Sequence, residues 1–146
     1  MAPQVPLGVP LRGNILVLGD GDFSFSKAIA LQNVVQGGRA CITATSLDSR
    51  ADLLTKYSEA EDNLRALERT PHVRVYHRVD ATNLEGTLCP QLEQQKPAYD
   101  AIVWNFPYPV QLRSPSCSPG EGSALLAGLF SNVGPFLVPE GEVSIQ

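Results

Sequence analysis

Short apolar runs alternate along the chain with longer segments in which apolar residues recur at helical spacing. The run NILVLG, residues 14–19, is too short for a helix and is typical of a strand buried on both faces of a parallel sheet. Further strands are predicted at residues 40–47, 73–79 and 99–107, and GEVSIQ begins a fifth. This alternation predicts an α/β fold: a Rossmann-like, doubly wound, mainly parallel sheet of about five strands.

The segments between these strands predict helices. In the first, Ser24 or Ser26 is a suitable cap and the sequence QGG ends the helix. Its buried stripe is expected to consist of Ala28, Ile29, Leu31 and Val34 or Val35.

A single long helix is predicted from Asp48, and two further helices are predicted at residues 83–95 and 123–137. Pro90 weakens the first of these two patterns, and Gly128 and Gly134 weaken the second. The apolar residues of the long helix at helical spacing are Leu53, Leu54, Tyr57, Ala60, Leu64 and Leu67.

Length and composition predict one domain with a real core, since the chain has 146 residues and a hydrophobic fraction of 43%. Residues 1–13 contain three prolines and are expected to form a flexible leader to a domain at residues 14–146. The start lacks the pattern of a secretory signal, and no apolar run approaches the roughly 20 residues of a membrane span. We therefore expect a protein that is not secreted and has no membrane partner.

Charge and cysteine content narrow the candidate chemistry. A net charge of −4 does not favour an autonomous nucleic-acid binder, which usually has a basic face. The three cysteines form no CxxC pair, so no metal site is expected. Cys41 lies in a predicted strand and is expected in the core.

Glycines, carboxylates and amides follow the predicted strands. In a doubly wound sheet, ligands bind beyond the carboxyl ends of the strands, where the strand order reverses. The first strand ends in the loop Gly19-Asp20-Gly21-Asp22, the second in Asp48 and the third in Asp80-Ala81. The fourth ends in Asn105-Phe106-Pro107. These strand ends predict a binding crevice.

The first loop nearly fits the dinucleotide fingerprint G-x-G-x-x-G/A, with Ser24 at the last position. A phosphate there would approach Asp20 and Asp22, and two like charges about 4 Å apart cost roughly 4 kcal/mol at an effective dielectric of 20. A nucleotide-dependent oxidoreductase is therefore the weaker alternative. No GK[ST] of a P-loop is present.

S-adenosylmethionine suits this crevice better, because it carries a sulfonium and an ammonium but no phosphate. The backbone of Gly19 and Gly21 allows close approach, and Asp20 or Asp22 is placed to meet the ammonium. Asp48 is placed to accept hydrogen bonds from the ribose hydroxyls. We expect the adenine amino group to be held by Asp80, together with the backbone of Ala81. The alternatives are a plain turn at the first loop and at Asp80, and a helix cap at Asp48.

The sequence NFPY resembles the (D/N)PPY motif of amino-directed methyltransferases. Its members Asn105, Pro107 and Tyr108 are the candidate catalytic residues, which would position a target nitrogen in line with the donor methyl group. The aromatic ring would stack on a flipped base. The alternative is a proline turn with core aromatics.

Four blocks resemble, in order, the Rossmann-like domain of the large-subunit rRNA uridine-N3 methyltransferase family: ILVLGDGDFSFSKAIA, ITATSLDSRADLLTKYSEAEDNLRALE, VDATNL and AIVWNFPY. The resemblance implies S-adenosylmethionine as cofactor and N3 of uridine in rRNA or the pre-ribosome as substrate. It also implies the sevenfold strand arrangement of class I methyltransferases. The implied location is the nucleolus or nucleus, with the cytoplasm as the alternative.

The chain departs from that family in two ways. The family typically has a histidine after NFP, where this chain has Tyr108, whose ordinary pKa of about 10 makes it a poor general base. Asp22 is a candidate substitute, whereas His72 and His77 are expected to be surface or structural residues. The chain also ends in the fifth strand, so the domain is expected to lack the C-terminal strands of a full methyltransferase. A catalytically silent binding or assembly module is therefore the main alternative.

Overall fold

A computed structural model of the chain describes residues 11–92, 98–104 and 121–145. Five parallel strands form one sheet in the order β3-β2-β1-β4-β5. The order reverses at β1, which pairs with β2 on one side and β4 on the other. The strands are β1 (Gly13–Leu18), β2 (Ala40–Thr45), β3 (Val73–Tyr76), β4 (Tyr99–Trp104) and β5 (Leu137–Ile145).

Helices connect the strands, as the sequence pattern predicted. They are α1 (Ser24–Val35), α2 (Arg50–Lys56), α3 (Ala60–Arg69), α4 (Leu84–Thr87) and α5 (Glu121–Val133), with short 3-10 turns at Cys89–Gln91 and Gly134–Phe136. The predicted fold class, a Rossmann-like parallel sheet of about five strands flanked by helices, is confirmed.

The two faces of the sheet bury separate apolar layers, because successive strand residues point to opposite faces. On one face, Ile15, Val17 and Ile42 pack with residues of α1 and α3. On the other, Leu16, Ile102 and Trp104 pack with residues of α4 and α5. The central strands β1 and β4 are therefore covered on both sides, which explains their continuous apolar sequences.

The buried stripe predicted for α1 is wrong except at Ile29. Ala28, Leu31, Val34 and Val35 are exposed, whereas Gln32 and Asn33 are buried. The amide of Asn33 bonds both backbone groups of Ala40, donating to the carbonyl and accepting from the N–H at 3.0 Å each. This pair of bonds rotates the polar side chain inward and the flanking valines outward.

The long helix predicted from Asp48 is also wrong, because it is broken between α2 and α3. Tyr57 has extended backbone dihedrals, φ −127° and ψ 119°, and ends α2. The expected stripe is buried at Leu53, Ala60, Leu64 and Leu67, but Leu54 and Tyr57 are exposed.

Three smaller expectations are also corrected. Cys41 is exposed, because the α4 and α5 layer leaves its face of β2 open to a cavity of about 520 Å³. The fifth strand begins at Leu137, before the predicted GEVSIQ. The helix expected at residues 83–95 consists of four residues of α4 and a 3-10 turn at Pro90, with residues 93–95 outside the described ranges.

Candidate functional site at the carboxyl edge of the sheet

Backbone hydrogen bonds tie together the loops that follow β1, β2 and β3. The N–H of Asp20 donates to the carbonyl of Thr45 at 3.3 Å, joining the first two loops. The N–H of Val79 donates to the carbonyl of Ser46 at 2.9 Å, and that of Arg78 to the carbonyl of Asp48 at 3.2 Å. Three of the four predicted strand ends therefore meet at one edge, on the β1 side of the topological switch point between β1 and β4.

The two carboxylates of the first loop turn toward the N-terminus of α1. Asp20 Oδ2 accepts from the N–H of Ser26 at 2.6 Å, and Asp22 Oδ1 accepts from the N–H of Ser24 at 2.9 Å. Phe23 occupies the N-cap position in the left-handed region, with φ 65°. The expectation that Ser24 or Ser26 caps this helix is therefore wrong, since their N–H groups are the ones being capped.

Asp20 is almost fully buried, with 1% of its surface exposed. Burial raises the pKa of its carboxyl group above 3.8, opposed by the hydrogen bond from the Ser26 backbone, while the nearby charge of Asp22 raises it further. The Asp20 side chain therefore faces the helix rather than solvent, which leaves the loop backbone at the carboxyl edge of the sheet. Asn63 of α3 holds that backbone by donating to the carbonyl of Asp22 at 2.9 Å.

Asp48 is partly exposed at the end of β2. Its Oδ1 accepts from Lys56 Nζ at 2.9 Å. The cap of α2 is Ser49, whose hydroxyl accepts from the N–H of Asp52 at 3.2 Å. The helix-cap alternative for Asp48 is therefore wrong, and its carboxylate is a hydrogen-bond acceptor at the carboxyl edge, paired with Lys56.

Asp80 and Ala81 form a tight turn after β3. Asp80 Oδ1 accepts from both the N–H and the hydroxyl of Thr82, at 2.8 and 2.7 Å. Asn132 of α5 donates to the carbonyl of Ala81 at 2.8 Å and accepts from the N–H of Leu84 at 2.9 Å. The turn is thus fixed by its own carboxylate and by α5, which agrees with the turn alternative for Asp80 and leaves a ligand role for this carboxylate as a prediction.

Sequence reasoning missed three residues at this edge. An ideal Cβ built on Gly21 would lie 3.0 Å from the hydroxyl of Tyr57, so this glycine makes room for the tyrosine ring. Leu47, between Ser46 and Asp48 in the second loop, is 66% exposed. His77 Nδ1 lies 3.0 Å from Ser46 Oγ.

The remaining predicted site residues, Asn105, Pro107 and Tyr108, lie outside the described residues. Within the described ranges, His, Cys, Asp and Glu side chains form no cluster of three suited to a metal ion. In those same ranges, no helix has the length and apolarity to cross a membrane.

The chain is similar to curated proteins of Arabidopsis thaliana. It is 34% identical over 134 residues to "Heavy metal-associated isoprenylated plant protein 41", covering 90% of this chain and 24% of that protein. It is 35% identical over 135 residues to "Uncharacterized protein At4g26485", covering 90% of this chain and 61% of the relative. The chain thus spans less than two thirds of either relative.

A family model covers nearly the whole described fold. The model described as "rRNA (uridine-N3-)-methyltransferase BTM5-like" matches residues 16–146, from β1 through β5. That span includes the carboxyl-edge loops and the unusual cap of α1. The chain therefore belongs to the BMT5-like family of rRNA (uridine-N3-)-methyltransferase-like proteins.

Proposed function

We propose that the carboxyl edge binds S-adenosylmethionine and that the chain is the donor-binding domain of a methyltransferase acting on N3 of uridine in rRNA. Membership of the BMT5-like family supports the reaction class. The arrangement of Asp20 and Asp22 supports this donor over a dinucleotide.

The observation that carries the proposal is the occupied N-terminus of α1. A dinucleotide pyrophosphate needs free N–H groups at this position and the positive end of the helix dipole. Here the N–H groups of Ser24 and Ser26 already donate to Asp22 and Asp20. A phosphate would have to displace both carboxylates, whereas a phosphate-free ligand leaves them in place.

The groups beside this loop fit the rest of the donor. Asp48 offers a partly exposed carboxylate for the ribose diol, and the exposed Leu47 next to it offers an apolar surface. Asp22 adds negative charge near the position expected for the ammonium. Asp80 and the backbone of Ala81 are the candidates for adenine. The donor itself supplies a methyl group activated by its sulfonium.

The acceptor side of the proposal depends on Asn105, Pro107 and Tyr108, which would hold the uridine ring. Uridine N3 carries a proton at neutral pH, so its attack requires a group that removes or shares that proton. Asp22 is committed to the α1 N-terminus through Ser24, which makes it a less suitable base than its sequence position indicated. The proposed partner is rRNA or the pre-ribosome, and the proposed location is the nucleolus or nucleus.

Calorimetric titration tests the donor site. S-adenosylmethionine and its demethylated product should bind, and NAD should not. Asp48→Asn should weaken donor binding about tenfold to a hundredfold, because a hydrogen bond to a charged group contributes roughly 1.5–3 kcal/mol. Asp52→Asn, with the same charge change on the exposed side of α2, is the matched control and should bind normally.

Each outcome decides between the candidate functions. Tight NAD binding would overturn the donor site. So would the failure of both S-adenosylmethionine and its demethylated product to bind. Donor binding without transfer of a radiolabelled methyl group to rRNA fragments would identify a silent binding module. Unchanged affinity in Asp48→Asn would remove Asp48 from the site while leaving the donor assignment intact.

A further inference from the structure

His77 contacts two of the three loops at the carboxyl edge and itself belongs to the third, yet the proposed function gives it no role. It follows β3 directly and is half-buried. Its ring meets Phe23, in the first loop, edge to face, with centroids 5.7 Å apart and planes at 76°. Its Nδ1 meets the buried hydroxyl of Ser46, in the second loop, at 3.0 Å.

The proton positions in this contact follow from the partners of Ser46. The hydroxyl lies 2.8 Å from the carbonyl of Asp48, which can only accept, so the single hydroxyl proton points there. The hydroxyl oxygen must then accept from His77, which requires a proton on Nδ1. A chain of two hydrogen bonds therefore runs from His77 through Ser46 to the backbone of Asp48.

The charged groups around His77 come from the helices packed over the β3 edge. Arg50 of α2 and Glu68 of α3 form an ion pair at 2.8 Å. Together with Val73, Val75 and His77 they line a cavity of about 330 Å³. Burial lowers the pKa of His77, Arg50 lowers it further, and Glu68 opposes them, so the ring is neutral near pH 7.

The left-handed backbone of Phe23 connects this ring to the first loop. Phe23 is fully buried and has φ 65°, a conformation that a bulky residue adopts only when its surroundings hold it there. The His77 ring edge is one of the groups that hold it. Phe23 in turn directs the two carboxylates onto α1, so the ring supports the feature that distinguishes a phosphate-free site.

We propose that His77 is a positioning residue that fixes the Asp48 loop and the Phe23 turn in the geometry that binds the methyl donor. It acts mainly through the hydrogen bond to Ser46, with a smaller contribution from the ring edge against Phe23, and does not touch the donor. The proposal rests on the proposed function for its ligand, but its structural part holds in the free protein. There, the bonds from Arg78 to Asp48 and from Val79 to Ser46 should depend on the His77 contact.

Two substitutions separate hydrogen bonding from ring packing. In His77→Asn, the side-chain nitrogen hangs from Cγ as Nδ1 does and can donate to Ser46, but the ring is lost. In His77→Phe, the ring edge against Phe23 is kept and the donor is lost. His72→Asn, at an exposed position with φ 65° that Asn tolerates, is the matched control.

The first measurement is the affinity for S-adenosylmethionine by calorimetry. His77→Phe should weaken binding about tenfold, the size expected for losing one hydrogen bond that orders the site. His77→Asn should restore binding to within about threefold of the unmodified protein. In a protein that already carries Ser46→Ala, adding His77→Phe should weaken donor binding little further, because the two residues act through one chain of hydrogen bonds.

The second measurement needs no ligand. Amide exchange at Val79 should be about tenfold faster in His77→Phe and unchanged in His77→Asn and His72→Asn. The positioning role would be overturned if the Val79 amide exchanged in His77→Phe at the rate of the unmodified protein. It would also be overturned if His77→Asn exchanged as fast as His77→Phe. If the unmodified protein fails to bind the donor, the proposed function falls, and amide exchange alone then decides whether His77 positions these loops.

Discussion

At the scale of single residues, one backbone conformation determines what the glycine-rich loop can bind. The sequence correctly drew attention to the two carboxylates of the GDGD loop, but their direction depends on the left-handed Phe23 that follows. That conformation places Ser24 and Ser26 so that their N–H groups face the carboxylates. A bulky aromatic with positive φ is uncommon, so no local pattern indicates it.

Asp22→Ala should destabilise the protein by about 1 kcal/mol, as for other lost helix caps, because the N–H of Ser24 loses its acceptor. Asp22→Asn keeps an acceptor oxygen and should cost only a few tenths of this. Urea unfolding followed by circular dichroism measures both. Equal stability of the Ala variant would mean that the cap contributes nothing.

At the scale of elements, the apolar pattern alone predicted two features incorrectly. The apolar residues of α1 predicted a buried stripe that included Leu31 and Val34 or Val35. The paired bonds between Asn33 and Ala40 instead orient the helix with Asn33 facing the sheet. The regular spacing through Tyr57 predicted one long helix, but the extended backbone of that residue divides it. The apolar periodicity shows which face of a helix is apolar. It does not show that the hydrogen bonds of one buried amide can determine which face packs on the sheet.

Asn33→Ala should therefore cost about 1–3 kcal/mol, since it leaves the backbone N–H and carbonyl of Ala40 buried without these partners. Val34→Ala is the matched control: the residue is the next along the helix, 53% exposed, and its loss should cost less than about 0.5 kcal/mol. Thermal and urea unfolding of the two variants give the comparison. A larger loss in the Val34 variant would restore the apolar stripe and contradict the observed orientation of α1.

At the scale of the whole molecule, the sequence predicted the fold class because each of the five predicted strand segments overlaps a strand of the sheet. The second and third strands end two to three residues before their predicted ends, at Thr45 and Tyr76. The GDGD, Asp48 and Asp80 loops nevertheless meet at one edge as expected. What these side chains do there was harder to predict, because each carboxylate has an intramolecular partner from another part of the chain or from its own turn. Lys56, the α1 backbone and Thr82 are those partners.

At acidic pH, two groups with shifted pKa values, Asp20 and His77, make the stability depend on pH in opposite directions. The pKa of His77 in the folded state is lowered below 6.5 by burial and by Arg50, so the unfolded chain binds more protons there. The contribution of His77 to the free energy of unfolding is fully present above about pH 6.5 and is lost as the pH falls toward its pKa in the folded state. The pKa of Asp20 is raised above 3.8 by burial, so its ionisation costs stability as the pH rises through its folded value.

His77→Asn should therefore remove the loss of stability on mild acidification, because its amide does not titrate. Free energies of unfolding from urea titrations at about pH 7.5 and about pH 5.5 should differ in the unmodified protein and in His72→Asn, but much less in His77→Asn. If all three proteins lose stability equally, another group causes the acid sensitivity. That result would also mean that His77 binds protons equally well in the folded and unfolded chains, so burial and Arg50 would not lower its pKa.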